Sequence, residues 1–411
     1  MTIGAVIGRA VRSRGAWALV VSLCSSGSGL LIAVAVARGS SVDEMGEYGV
    51  AAAALVLLTA LARSAVTDPL VAMTSTPESR RKLGRASAIG AVGAVVLGAA
   101  AFLLGSGYLL VGALAVHGLT MRECTRAVLV ARGAITVAVV TEATWLTVTV
   151  GAFCGTACGV WDSIAAFAIW AGAGAVLGYG AAWRTGSDLR PSWAATPVPT
   201  ARSLAFGGDT MIGSGVVQLV TWVATAIGGL PVAAALRGAG TLAGPVTVGL
   251  TAARSVLIPR AVDRLDGDRG LRGLARDAAL LCGLATPFLV LLAVVPDPIG
   301  AGLLGATWPT VRPILVVTAI ELFFQLVAAV PETAHRALGA GQRILVLRCI
   351  TAGARIPLVV LAAPSGVGAV VSCAAAVTAA SSMIWWISLV TLAHPRSPSS
   401  PRPTTPIGSP S

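Results

Sequence analysis

The hydrophobic positions of this chain fall in twelve long runs separated by short polar segments. They lie approximately at 15–37, 48–73, 86–105, 108–121, 133–158, 161–183, 203–227, 231–258, 278–295, 309–330, 344–364 and 367–393. A helix needs about 20 mostly apolar residues to cross the hydrocarbon core of a bilayer. The fourth run is short and is read as continuing into the stretch Met121–Val130. Closed barrels are the other structure that pairs every backbone group in lipid. These runs are too long and too weakly alternating for barrel strands, so the pattern predicts an all-α polytopic membrane protein of about twelve spans. The first run follows Arg9, Arg12 and Arg14, as in a signal peptide. It is too long for a signal core and no small-residue cleavage site ends it, so it is read as a retained span.

Composition agrees with lipid as the main solvent. Of 411 residues, 56% are hydrophobic and 11% charged, with mean hydropathy +0.85, whereas soluble chains carry about 25% charged residues. A cytosolic enzyme, a disulfide scaffold and a disordered chain are thereby set aside. The net charge of +12 does not point to nucleic acid, because the basic residues are scattered between apolar runs rather than clustered. They follow topology instead. With the N-terminus inside, inner segments carry 22 of the 29 Lys and Arg and outer connections carry two, Arg38 and Arg312. The positive-inside rule then predicts cytoplasmic N- and C-termini. The dominance of Arg over Lys, with abundant Ala, Gly and Val, suits a GC-rich bacterial genome.

Seven cysteines fall in or beside apolar runs. Cys154 and Cys158 share a helix face, but no His or third Cys accompanies them, so no zinc site is expected. No Walker A sequence is present, and neither metal nor cofactor is called for. No loop is long enough to fold as a domain. The polar, Pro-rich segment 184–202 follows the sixth run and reads as a cytoplasmic linker between an N-terminal six-helix bundle, 1–183, and a C-terminal one, 203–393. The Pro- and Ser-rich tail 394–411 is expected to be disordered.

Six spans per half require a parallel repeat about an axis along the membrane normal. Weak symmetry supports one. Ala62-Arg63-Ser64 precedes Pro69 in the second run, and Ala253-Arg254-Ser255 precedes Pro259 in the eighth. Glu123…Arg126-Ala127-Val128 likewise corresponds to Glu332…Arg336-Ala337-Leu338.

Several runs in order resemble the Wzx-type polysaccharide flippases of the multidrug/oligosaccharidyl-lipid/polysaccharide exporter superfamily, actinobacterial members especially. They are Ala37-Arg38-Gly39…Met45-Gly46-Glu47-Tyr48, Ala62-Arg63-Ser64-Ala65-Val66-Thr67-Asp68-Pro69-Leu70 and Arg122-Glu123…Arg126…Ala131-Arg132-Gly133. In the second half they are Leu236-Arg237-Gly238-Ala239-Gly240-Thr241-Leu242-Ala243-Gly244-Pro245 and Leu303-Leu304-Gly305…Trp308. The resemblance implies a V-shaped pair of bundles, alternating access and export of an undecaprenyl-diphosphate-linked oligosaccharide across a bacterial plasma membrane. That transport serves envelope polysaccharide or lipopolysaccharide biosynthesis. Expected partners are the lipid-linked substrate, membrane lipids and polysaccharide synthesis or polymerisation proteins. Lipid II flippases of the superfamily usually have two further C-terminal spans, which this sequence lacks.

Ionisable residues inside spans are costly and face a cavity or a partner. Glu321 and Arg355 fall near mid-membrane on consecutive helices. Asp209 and Arg254 share a depth near the inner surface, and Arg63 shares one with Glu142. These six read as structural ion pairs, while Arg63 and Arg254 are also candidate substrate cations. Arg237 lies about 10 Å below the outer surface with no acid expected at its depth. Gly238, Gly240, Gly244 and Pro245 surround it, and a guanidinium suits forked contacts to phosphate. It is the leading candidate for the diphosphate or acidic sugars. Asp68 and Glu142 are candidates for proton coupling. His117 reads as a packing residue, Trp183 and Trp385-Trp386 as interfacial anchors, and the Gly151/Gly155/Gly159 and Gly174/Gly178 spacings as close helix contacts. A drug or metabolite antiporter of the same fold is the alternative, disfavoured by the Arg excess within the spans. A polysaccharide polymerase or ligase is disfavoured by the lack of a large outer loop, and a non-transporting scaffold predicts that lumenal Arg substitutions are silent.

Overall fold

The computed structural model describes residues 14–67, 83–193, 201–265 and 270–393. Asp68, Pro69 and the tail 394–411 lie outside the described residues. Within them the chain is helical, without strands. The long helices are α1 (Arg14–Gly39), α2 (Val42–Ala62), α3 (Gly84–Leu104), α4 (Gly107–Ala131), α5 (Ile135–Ala157) and α6 (Ser163–Arg184). They continue as α7 (Ala201–Gly228), α8 (Leu230–Leu265), α9 (Gly270–Ala293), α10 (Leu315–Ala337), α11 (Gly341–Ala362) and α12 (Val367–Ala393). Two short helices, Asp297–Leu304 and Trp308–Val311, join α9 to α10, and one π-helical turn, Arg63–Thr67, extends α2.

Local chemistry sets the joints. Ser41 and Glu44 form a capping box at the start of α2, Ser41 Oγ accepting from the Glu44 amide and the Glu44 carboxylate from the Ser41 amide. Such a box satisfies two amides that have no carbonyl within the helix. Gly105, at φ +65°, ends α3, and Ser106 caps α4 immediately. A left-handed residue is cheap only for glycine, so this joint needs two residues. The fourth span does run on, α4 reaching Ala131 through the polar stretch after Met121.

Ten segments are long and apolar enough to cross a membrane. The other two long helices, α4 and α8, are 25 and 36 residues long. At 1.5 Å per residue α8 extends about 54 Å. Large apolar side chains such as Val95, Phe102, Leu103 and Leu284 are more than 70% exposed, an arrangement that lipid rather than water solvates.

The twelve helices form two six-helix bundles related by a parallel pseudo-two-fold. In the first, α4 packs on α3, α2 and α6, while α1 packs on α5. In the second, α10 packs on α9, α8 and α12, while α7 packs on α11. Each helix pair packed within the first bundle recurs six helices later. Between bundles, α2 meets α8 on the axis, and the axis exchanges the α2–α7 seam with the α1–α8 seam. The α2–α8 contact is tightest at the end far from the chain termini. There Gly46 abuts the Leu230 carbonyl, leaving no room for a Cβ, and a Cβ at Gly49 would stand 3.2 Å from the Ala233 carbonyl oxygen.

Candidate functional site

The repeated sequence motifs meet in space. Arg63, at the end of α2, lies 3.8 Å from Glu123 on α4. Arg254 on α8 lies 3.0 Å from Glu332 on α10. Each bundle thus carries an Arg–Glu pair between its second and fourth helices, built from corresponding residues of the repeat. The arginine that follows each glutamate differs in its use. Arg126 turns back onto Glu123 at 2.5 Å, whereas Arg336 reaches across to Asp209 on α7.

That second choice creates a continuous chain of alternating charge. Arg336 bonds Asp209, and Asp209 accepts from Arg348 Nε at 2.7 Å. Arg348 Nη2 bonds Glu332 at 2.9 Å, and Glu332 bonds Arg254. The carboxylates are buried, with side chains 1% and 8% exposed, while the terminal arginines, Arg336 and Arg254, remain 36% and 38% exposed. Three guanidinium groups share two carboxylates, so the chain carries one positive charge more than it neutralises. Arg348 also lies over the Trp385 ring, 5.4 Å from its centroid.

These residues line a cavity of about 510 Å³ in the half of the molecule nearer the chain termini. Arg63 of the first bundle joins Arg254, Arg336, Arg348 and Arg355 of the second around it, against Asp209 and Glu332. Deeper in the wall, Arg355 bonds Glu321 at 2.7 Å, and Thr378 donates to the same carboxylate oxygen at 3.2 Å. With Glu123, Arg126 and Glu321 counted as partners of the lining arginines, six guanidinium groups meet four carboxylates. The excess of two positive charges makes a cavity suited to anions, because confinement between low-dielectric walls strengthens each uncompensated charge.

Arg237 occupies a separate place. It lies 17 residues before Arg254 on α8, about 26 Å along the axis. Its Nη2 donates to the Tyr48 hydroxyl at 3.1 Å, and its guanidinium lies 5.1 Å from the centre of that ring. The contact joins α8 to α2 across the two bundles. Arg237 makes no ion pair among the described residues, and its Nε is buried without a partner. It stands in the wall of a largely apolar cavity of about 790 Å³ between α1 and α8, with Leu23, Leu30, Gly240, Gly244 and Val248.

Several expectations are corrected. Arg254 does not pair with Asp209; α10 and α11 intervene, supplying Glu332 to the first and Arg336 and Arg348 to the second. Arg63 does not meet Glu142. Arg122 on α4 grips Glu142 in a two-pronged contact at 2.6 and 2.7 Å and lies 3.6 Å above the Trp145 ring. This buried pair, which leaves Arg122 Nε without a partner, joins α4 to α5. Glu321 and Arg355 are brought together, and Asp68 lies outside the described residues. Trp385 is not an interfacial anchor: it is 1% exposed, edge-on to His335. Trp386 donates to the Val327 carbonyl, while Trp183 is 79% exposed. His117 bonds both Ser87 and Tyr179. Gly174 and Gly178 pack closely on α4 and α5, but Gly151 faces open space and Gly159 is a left-handed turn residue.

Sequence reasoning left Glu332 and Arg336 in the segment beyond the tenth run, and the structure puts both on α10, while Arg122 and Glu123 lie on α4, the continuation of the fourth run. The signal that identifies them is the repeat correspondence between Glu123…Arg126 and Glu332…Arg336. Among the described residues no cluster of His, Cys, Asp and Glu has the makings of a metal site.

No protein-family model matches the chain, and no curated protein sequence matches it. Solved structures do share its fold. An inward-facing multidrug-resistance MATE family transporter of the MOP superfamily aligns over 91% of this chain and 98% of its own, at TM-score 0.61 and 10% identity. The lipid II flippase MurJ, in an inward closed conformation, aligns over 90% and 86%, at TM-score 0.62 and 11% identity. A MOP superfamily transporter from Pyrococcus furiosus, described as having a binding pocket of reverse polarity, aligns over 94% and 97%, at TM-score 0.55 and 10% identity. The chain therefore has the two-bundle fold of MOP superfamily transporters.

Proposed function

We propose that this protein is a secondary transporter that flips an undecaprenyl-diphosphate-linked oligosaccharide from the inner to the outer leaflet of a bacterial plasma membrane. The observation that carries the reading is the net positive charge of the cavity lined by Arg63, Arg254, Arg336, Arg348 and Arg355, where, with the partners Glu123, Arg126 and Glu321 counted, six arginines meet four carboxylates. An exporter of cationic drugs calls for the opposite balance. With the termini cytoplasmic, this cavity takes the anionic head group from the inner side while the bundles stay closed at Gly46 and Gly49 on the outer side. Exposed Arg63, Arg254 and Arg336 engage the diphosphate, since guanidinium forks match phosphate oxygens.

The two symmetry-related seams both offer apolar space that suits a lipid-linked cargo. Trp222 donates to the Val50 carbonyl and Ser64 Oγ meets Met211 Sδ across the α2–α7 seam. An apolar cavity of about 580 Å³ lies beside those bonds among α2, α3, α4 and α7, and the α1–α8 seam holds the larger one of about 790 Å³ with Arg237 in its wall. A polyprenyl tail remains in the bilayer beside that seam while the head enters, and Arg237 offers a second anion contact further outward. Rocking of the bundles then exposes the head to the other side, with no bond made or broken. Delivery to polysaccharide-assembling proteins follows.

The test is mass spectrometry of polyprenyl-diphosphate lipids from a strain lacking the protein, with a membrane-impermeant label reporting leaflet. A sugar-bearing lipid trapped in the inner leaflet supports flipping and identifies the sugars. Accumulation in the outer leaflet points to a polymerase or ligase, and an unchanged lipid profile to small-molecule export; either overturns the proposal.

A further inference from the structure

The flank of the first bundle that faces away from the second carries a groove the transport reading leaves unused. It lies between α5 and α6, holds about 460 Å³, and is lined by Val137, Val140, Thr144, Val176 and Gly180. Neither α5 nor α6 packs on the second bundle, so the groove is apart from the cavities between the bundles. At its mouth, where α6 ends near the termini face, stand Trp183 and Arg184. Both are exposed, and Arg184 makes no ion pair among the described residues.

The equivalent seam of the second bundle is closed. Thr351 Oγ1 and Ser381 Oγ meet at 3.0 Å between α11 and α12, and Arg343 donates to the Ser388 carbonyl and Thr391 hydroxyl. Ile344, Leu347 and Trp385 fill the space beside them. In the first bundle Arg184 makes no bond to α5 among the described residues, and Gly180 leaves open space where a side chain would project.

We propose that the α5–α6 groove is a binding site for an anionic phospholipid of the leaflet at the termini face. The acyl chain lies against Val137, Val140, Val176 and the bare backbone of Gly180. The phosphate meets Arg184 at the height where the indole of Trp183 sits among head groups, the usual depth of exposed Trp in membranes. Charge complementarity selects the occupant: a zwitterionic lipid presents a cation beside its phosphate, whereas an anionic lipid leaves the Arg184 charge matched. An interfacial basic residue favours an anionic lipid by roughly fivefold.

The full chain is reconstituted in nanodiscs of phosphatidylcholine containing either dibrominated phosphatidylglycerol or dibrominated phosphatidylcholine. Quenching of Trp183 is obtained as the difference from Trp183→Phe. The expected result is half-maximal quenching at a roughly fivefold lower mole fraction of the anionic lipid. Arg184→Gln removes that preference by removing the charge. Gly180→Leu, whose side chain enters open space and spares the fold, removes it by filling the groove. Equal quenching by the two lipids in the unsubstituted protein, or a preference that survives either substitution, overturns the site. None of these readouts depends on transport.

Discussion

Replacing Arg348 with Leu removes the central member of the five-residue charge chain. Asp209 then keeps only Arg336 and Glu332 keeps only Arg254, each of these arginines more than one-third exposed. Breaking a buried ion pair by deleting one partner costs about 3–5 kcal/mol, because a desolvated charge is left behind. Each carboxylate here retains one partner, so the expected loss is about 2–3 kcal/mol, below that range. Lost packing of the guanidinium over Trp385 adds about 0.5–1 kcal/mol. The assay is reversible denaturation of the purified protein in mixed detergent micelles, carried through a double-substitution cycle with Asp209→Asn. Residues in one ion-pair network couple by 0.5–3 kcal/mol, whereas distant sites add. Arg348→Leu and Asp209→Asn together are therefore expected to cost about 1 kcal/mol or more less than the sum of the two single losses. Strict additivity, or an Arg348→Leu protein as stable as the parent, would refute the chain as the element joining α7, α10 and α11.

Arg237→Ala is expected to abolish export at unchanged protein level, measured by surface polysaccharide against membrane immunoblot, and full export by that variant sinks the role given to Arg237. Gly46→Val places two methyl groups against the Leu230 carbonyl, so spin labels at the outer ends of α2 and α8 should move apart; an unchanged distance distribution shows that this contact does not close the bundles. Arg122→Met strands Glu142, 1% exposed, and is expected to cost about 3–5 kcal/mol, most of it recovered in Arg122→Met/Glu142→Leu. If the double variant is no more stable than the single one in the same denaturation assay, stranded charge is not the cause.

How much of the site the sequence reveals depends on the range of the information needed. Glu321 and Arg355 lie on consecutive helices at one depth, so rise per residue alone brings them level. Asp209 and Arg254 also share a depth on consecutive helices, yet each finds its partner on α10 or α11. Depth gives one coordinate of a residue in a bundle. The rotation of each helix about its axis and the identity of its neighbours are set by packing. The same limit explains Glu332 and Arg336, which lie beyond the tenth run. A polar run at the end of an apolar block looks like a loop when the only cue is hydropathy, and only partners on adjacent helices make it favourable to continue the helix through it.

The sequence by itself determined the all-helical membrane class, the twelve runs, the six-plus-six division and the motif correspondence of the two halves. Each follows from properties local to a segment, namely apolar length, charge distribution between segments and residue spacing. Only the tertiary structure decided that Arg336 leaves its repeat-related role to bind Asp209, and that three arginines share two buried carboxylates. It also decided that the α2–α7 seam is bridged by Trp222 while Arg237 stands in the wall of the cavity at its symmetry mate. Those outcomes depend on which helix faces meet, and a face is selected by the sum of contacts from several helices distant in sequence, which no single segment encodes.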